Sequence, residues 1–256
     1  MNRILTGLAV LAAASVAGGA SAAPTVINQN GTTNGIGNGF GNVFGTESTI
    51  DITVVGSTVT MVFNQGSGGF FDGNVVYIDS VAGGVADTTS LTDTADGGRS
   101  IASGNNGSNN DITFAPGFEA DFAISMENTF AGLFDITTDP TNFGFVAGVG
   151  TTNFDGDSAT KPRTIQFDLS QIGIAPGGSF KFITNYFNAG NGFRSDEFHG
   201  VAESTIASQR AASPNVGDNP VVLGNGDFNT VNTIPEPSSL ALIGLGGLLV
   251  ARRRRG

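Results

Sequence analysis

Apolar and polar residues alternate with a period of two through most of the middle of the chain, the pattern of strands with one buried face. Ile50, Ile52 and Val54 alternate with polar residues, Gly56-Ser57 follows, and Val59, Met61 and Phe63 alternate again. Two such runs separated by two turn-forming residues predict a β-hairpin with a type I′ or II′ turn. Further strands are expected at 75–81, entered through Phe70-Phe71-Asp72-Gly73, and at 111–114. Another is expected at 120–126, with Phe122, Ile124 and Met126 on one face, and another at 129–136, with Gly132 as a bulge. The runs at 143–149, 164–169 and 179–187 complete the set, and only 204–212, ended by Pro214, reads as a short helix. Strands in pairs, each closed by Gly, Pro or Asn, predict an all-β fold, an antiparallel β-sandwich of jelly-roll-like kind.

Three stretches carry little core signal. Residues 23–46 are rich in Gly and Asn, with Phe40, Val43 and Phe44 as anchors, and read as a loosely ordered arm or an edge strand. Residues 83–110 hold scattered Val85, Leu91 and Ile101 among Asp, Thr, Ser, Asn and Gly, and read as a long surface excursion. Residues 218–233 read as a Gly/Asn-rich exit from the body.

The two ends are unlike the middle. Residues 1–22 place Arg3 before an apolar stretch and close on Ala20-Ser21-Ala22 ahead of Ala23, which predicts a signal peptide cut by signal peptidase before Ala23. The far end runs Ile234-Pro235-Glu236-Pro237, then an uncharged stretch over 238–251, then Arg252-Arg253-Arg254-Arg255. Two prolines around one acid fix an extended, accessible peptide. The apolar stretch is a single helix shorter than the roughly 20 residues that span a bilayer comfortably, and four arginines hold its end on the cytoplasmic side. Both ends predict one topology, in which everything between Arg3 and Arg252 is exported.

That order of extended peptide, short membrane helix and cationic lock resembles the PEP-CTERM sorting signal of Gram-negative bacteria, here with Pro235-Glu236-Pro237. The resemblance implies recognition by an exosortase, a membrane-embedded processing enzyme, and loss of the helix and arginines after transient inner-membrane anchoring. It also implies a producer of extracellular polysaccharide, which makes that polysaccharide a candidate partner. It divides the chain into signal peptide (1–22), exported body (23–233) and sorting segment (234–256), and implies a final place at the cell surface or in the extracellular matrix.

Composition then bears on the body. The formal charge is −11, and five of the 11 basic residues lie in the removable ends, leaving six against at most 22 acids. A surface near about −15 repels nucleic acid and suits an exported, soluble protein. No Cys is present, so neither disulfides nor thiolate metal sites are available, and 20 Phe supply the bulk of the core.

Candidate chemistry is sparse. His199 is the only histidine and no G-x-S-x-G elbow occurs, so a hydrolytic triad would have to be assembled around that one imidazole. Calcium, which takes 6 to 8 oxygen ligands, is the candidate cofactor, with Asp72, Asp155 and Asp157 as its ligands. No stretch matches the 12-residue calcium loop, and Asp and Asn also simply form turns. Tyr186, Asn191 and Arg194 combine an aromatic ring, an amide and a guanidinium and are candidate sugar contacts; Arg194 and Asp196 as a surface ion pair is the plainer reading. The expected function is structural or adhesive and non-enzymatic, with a calcium-assisted carbohydrate-binding module as the alternative and a secreted hydrolase third.

Overall fold

The predicted hairpin forms β1 (Thr49–Val55) and β2 (Thr58–Asn64), paired from Thr49 opposite Asn64 to Val55 opposite Thr58. Of the two turn residues only Gly56 has positive φ, at 60°, which makes the turn type II′ with glycine at its first central position. In this computed structural model the described residues are 42–45, 47–104, 111–127, 129–150, 162–188, 194–212 and 220–233, without the side chains of 210–212. The predicted signal peptide with Ala20, Ala22 and Ala23, and the sorting segment from Ile234 onward, lie outside them.

β2 also pairs with β8 (Arg163–Asp168), completing a three-stranded antiparallel sheet. Its strands alternate buried and half-exposed positions, so one face is dry and the other wet. Asp168 ties the sheet's end together. It caps a single 3-10 turn at Leu169–Ile172 through the Ser170 N–H, and it accepts from the Ser57 hydroxyl in the hairpin turn.

The second sheet is built on β9 (Ser179–Phe187), whose predicted bounds hold residue for residue. Along one edge it pairs with all of β3 (Gly73–Asp79). Along the other its first half takes β12 (Asn229–Asn232) and its second half takes β10 (Arg194–His199). Beyond β3 the sheet continues through β5 (Phe122–Met126), β6 (Ala131–Asp135) and β7 (Gly144–Gly148).

Both faces of this sheet are covered over β3, β5, β6 and β9, whereas β7 is largely exposed. Val76, Ile78, Ile124, Met126, Leu133, Phe180 and Phe182 share one core with Ile50, Ile52, Met61, Phe63, Ile165 and Phe167 of the small sheet. Val75, Tyr77, Ala123, Phe134, Ile183 and Phe187 face a second core, roofed by α1 (Gly97–Ser103), α2 (Glu203–Ala212) and a two-stranded parallel ribbon. That ribbon pairs β4 (Ile112–Thr113) with β11 (Val221–Val222). Burial on two faces explains why Val75–Ile78 of β3 is a continuous apolar run rather than an alternation.

Four expectations are corrected. The described part of the 83–110 stretch, 83–104, is not a mere surface excursion: Leu91, Ile101 and Ala102 are buried in the second core, and Asp96 and Gly104 cap α1 at its two ends; 105–110 lie outside the described residues. Ile101 packs so closely on Gly73 that a Cβ there would stand 2.3 Å from its Cδ1. Residues 42–45 are not a loose arm, since Val43 and Phe44 are wholly buried. The exit stretch contributes two strands, β11 and β12. The bulge is not at Gly132, which pairs regularly with Ser125 and Gly148; the register shifts instead across β7, where Val146 is the extra residue between Phe145 and Ala147. Gly132 is small because the Phe130 ring lies on it, 2.7 Å from where a Cβ would be. Among the described residues no helix is long and apolar enough to cross a membrane.

If the roof is true core, Ile101→Ala should cost about 2–5 kcal/mol in a urea titration, with the slope unchanged. A loss within about 0.5 kcal/mol, the scale of a surface position, would return residues 83–104 to the periphery.

Candidate functional site

The residues with the most chemistry, Arg194-Ser195-Asp196-Glu197-Phe198-His199, form β10, and all six are buried. A buried polar strand is tolerable only if its groups find partners, and these come from four places. The register slips between Arg194 opposite Phe187 and Phe198 opposite Asn185, leaving carbonyls without a ladder partner. The Asn185 side-chain amide fills the gap, donating to the carbonyls of Ser195 (3.0 Å) and Glu197 (2.9 Å). The Glu197 carboxylate accepts the backbone N–H groups of Asn42 and Phe44, each at 2.9 Å. His199 Nε2 lies 3.0 Å from Ser48 Oγ, and its ring meets Phe44 edge-on at 4.9 Å. The Arg194 guanidinium sits over Phe198 at 5.6 Å; burial pulls its pKa down to about 10, against the attraction of Asp196.

A second buried arginine organises the neighbouring loop. Arg163 donates to Asn74 Oδ1 (2.6 Å) and the Asp72 carbonyl (2.7 Å) and stacks on Phe70 at 4.7 Å. Burial lowers its pKa to about 10, while Tyr186 and Asp72 work against the fall. Burial likewise pushes Tyr186 up to about 12, and its hydroxyl accepts the Asp72 N–H at 2.8 Å.

Of the candidate ligand residues, the structure describes Tyr186, Arg194 and Asp72. Tyr186 and Arg194 are buried and engaged within the fold, so the surface pairing of Arg194 with Asp196 is corrected: both lie inside. Asp72 is half-buried beside them. Asn191, Asp155 and Asp157 lie outside the described residues. Among the described residues no three acidic or histidine side chains converge as metal ligands. The Ser48–His199 pair, which spacing could not reveal, is fully buried, and the Ser48 hydroxyl donates to the Gly45 carbonyl at 2.7 Å. That geometry ties the Gly45–Ser48 turn to β10.

Most acids serve the backbone. Asp93 joins the Phe143 N–H (2.7 Å) to Arg99 (3.0 Å). Asp227 takes the N–H groups of Ala202 (2.8 Å) and Gly224 (2.6 Å) and the Thr205 hydroxyl. Asp135 collects the N–H and hydroxyl groups of Thr137 and Thr138.

The end of the body is equally firm. Thr233 follows β12 directly, and its N–H and hydroxyl both donate to the Gly178 carbonyl, at 2.9 and 2.8 Å. Its hydroxyl also accepts the Gly177 N–H at 2.8 Å. Residues 233–255 match the PEP-CTERM protein-sorting motif. The chain carries a PEP-CTERM sorting segment. Such a segment implies an exported protein sorted by an exosortase. No curated protein and no solved structure matches the chain.

Two acids give opposite pH effects. Asp121 is raised, first by burial and further by Asp79 and Glu119, against the Ser80 and Val81 N–H groups that it accepts. A raised folded-state pKa disfavours the folded state once the carboxyl ionises. Asp121→Asn should therefore raise the melting temperature at neutral pH, with the gain vanishing in acid. Burial raises Asp135 too, but the donors on Thr138 and Thr137 outweigh it and hold the carboxyl below its usual range. Its contribution is present at neutral pH and lost as pH falls through the folded-state value. Asp135→Asn should lower the melting temperature at neutral pH and do nothing in strong acid. Equal signs for the two variants would refute this assignment.

Proposed function

We propose that this is a non-enzymatic, exported scaffold, an antiparallel sandwich of jelly-roll-like kind with a structural or adhesive role at the cell surface or in the extracellular matrix. The observation that carries the reading is the junction at Thr233. The body is hydrogen-bonded up to the residue where the sorting motif begins, as suits a folded cargo handed to a membrane-embedded processing enzyme. The burial of β10 supports a structural role, because the chain's only imidazole and a run that also holds Arg194, Asp196 and Glu197 are enclosed within the fold. The core shared by the two sheets supports the sandwich.

Intact mass of the exported protein should show loss of 1–22 and an end near Pro235 to Pro237. Surface material that still carried Arg252 to Arg255 would overturn the sorting assignment. A glycan array probed with and without chelator tests the role. A structural protein gives no chelator-sensitive retention, whereas retention abolished by chelator would replace this reading with a calcium-assisted carbohydrate-binding module.

A further inference from the structure

The segment before β1 is held in an unusual way. On one side it meets the loop before β3 through ordinary backbone bonds, Gly66 N–H to the Val43 carbonyl (2.9 Å) and Gly68 N–H to the Asn42 carbonyl (3.3 Å). On the other side it meets β10 through ionisable side chains, Glu197 at Asn42 and Phe44 and His199 at Ser48. Between these contacts the Phe44 ring fills a box of Phe63, Phe70, Tyr186 and His199, with centroids 4.9–6.2 Å away. Asn42 carries φ of 63°, the one described non-glycine residue in that region.

We infer that residues 42–45 and 47–48 belong to an acid-released strap whose latch is the Glu197 carboxylate. An ionised carboxylate offers an acceptor oxygen to each of the two N–H groups. A proton on either oxygen turns it toward donation and breaks the match with one of them. The closed strap excludes that proton and the released strap takes it up, so falling pH favours release. Release exposes the aromatic box, which neither β1 nor β10 can close by itself.

Among the described residues, the other groups packed around the strap do not substitute for this latch. Tyr186, on β9, is raised to about 12 and stays neutral, and Arg163, on β8, stays charged with a pKa of about 10. Asp72 meets Tyr186 through its backbone N–H. Arg194 and Asp196 occupy the same strand as the latch, and Arg194 lies over Phe198, on the second core. Glu47, on the strap itself, is exposed. The Ser48 hydroxyl donates to the Gly45 carbonyl, which leaves its oxygen to accept from His199 Nε2, a contact that does not pass through the carboxylate.

Hydrogen exchange of the full-length chain, corrected for intrinsic rates, tests the strap against β9 as an internal reference. Between about pH 7 and about pH 4, protection over 42–45 and 47–48 should fall at least about tenfold while β9 keeps its protection. Glu197→Gln should leave the strap poorly protected at both pH values, and Ser48→Ala should retain the pH response. Unchanged strap protection across the range, a wild-type pH response in Glu197→Gln, or simultaneous loss in strap and β9 would each overturn the inference. Should Glu197→Gln fail to fold, the wild-type comparison of strap with β9 decides alone.

Discussion

A polar strand in the interior sets the terms for much of this molecule. β10 brings a guanidinium, two carboxylates, a hydroxyl and an imidazole into a dry setting, where each unmet polar group would cost about 1–3 kcal/mol. The partners lie far away in sequence: Glu197 reaches back 155 residues to Asn42, and His199 reaches back 151 to Ser48. The start of the folded chain, the end of β9 and the slip in register are thus one connected solution. Asn185 belongs to it as well, since its amide replaces the ladder bonds that the slip removes.

What was legible in the sequence was whatever a single face or a single turn decides. The β1–β2 hairpin, the bounds of β9 and the place of α2 follow from alternation, a glycine with left-handed backbone, and a terminating proline. The roof over the second core was not legible because its apolar residues, Leu91, Ile101 and Ala102, are spaced by cap and turn residues and gain their meaning from a sheet formed elsewhere. The Asp96 and Gly104 caps were a usable signal for α1. β10 was misread for a deeper reason. Pattern reading treats charge as exposure, and here distant donors and acceptors make burial tolerable. The PEP-CTERM segment was readable because its three parts are local and ordered, whereas the candidate ligand residues required knowledge of which side chains turn inward.

The acidity of the chain also changes meaning. Asp93, Asp135, Asp168 and Asp227 each gather several nearby N–H or hydroxyl donors and fix the path of a connection between strands. Their charge is a by-product of turn chemistry as much as a surface property, and a fold with this many connections accumulates it.

The register shift in β7 has a consequence for life outside the cell. β7 lies at the end of its sheet, carries no charge and no proline, and exposes Phe145 and Val146 next to Phe130. An open, uncharged strand of this kind is a template on which another extended chain can add itself. The extra residue at Val146 breaks the even spacing of backbone groups and twists the strand out of the plane that a newcomer would need. One inserted residue thereby does the guarding that lysines and prolines do at the margins of other sheets.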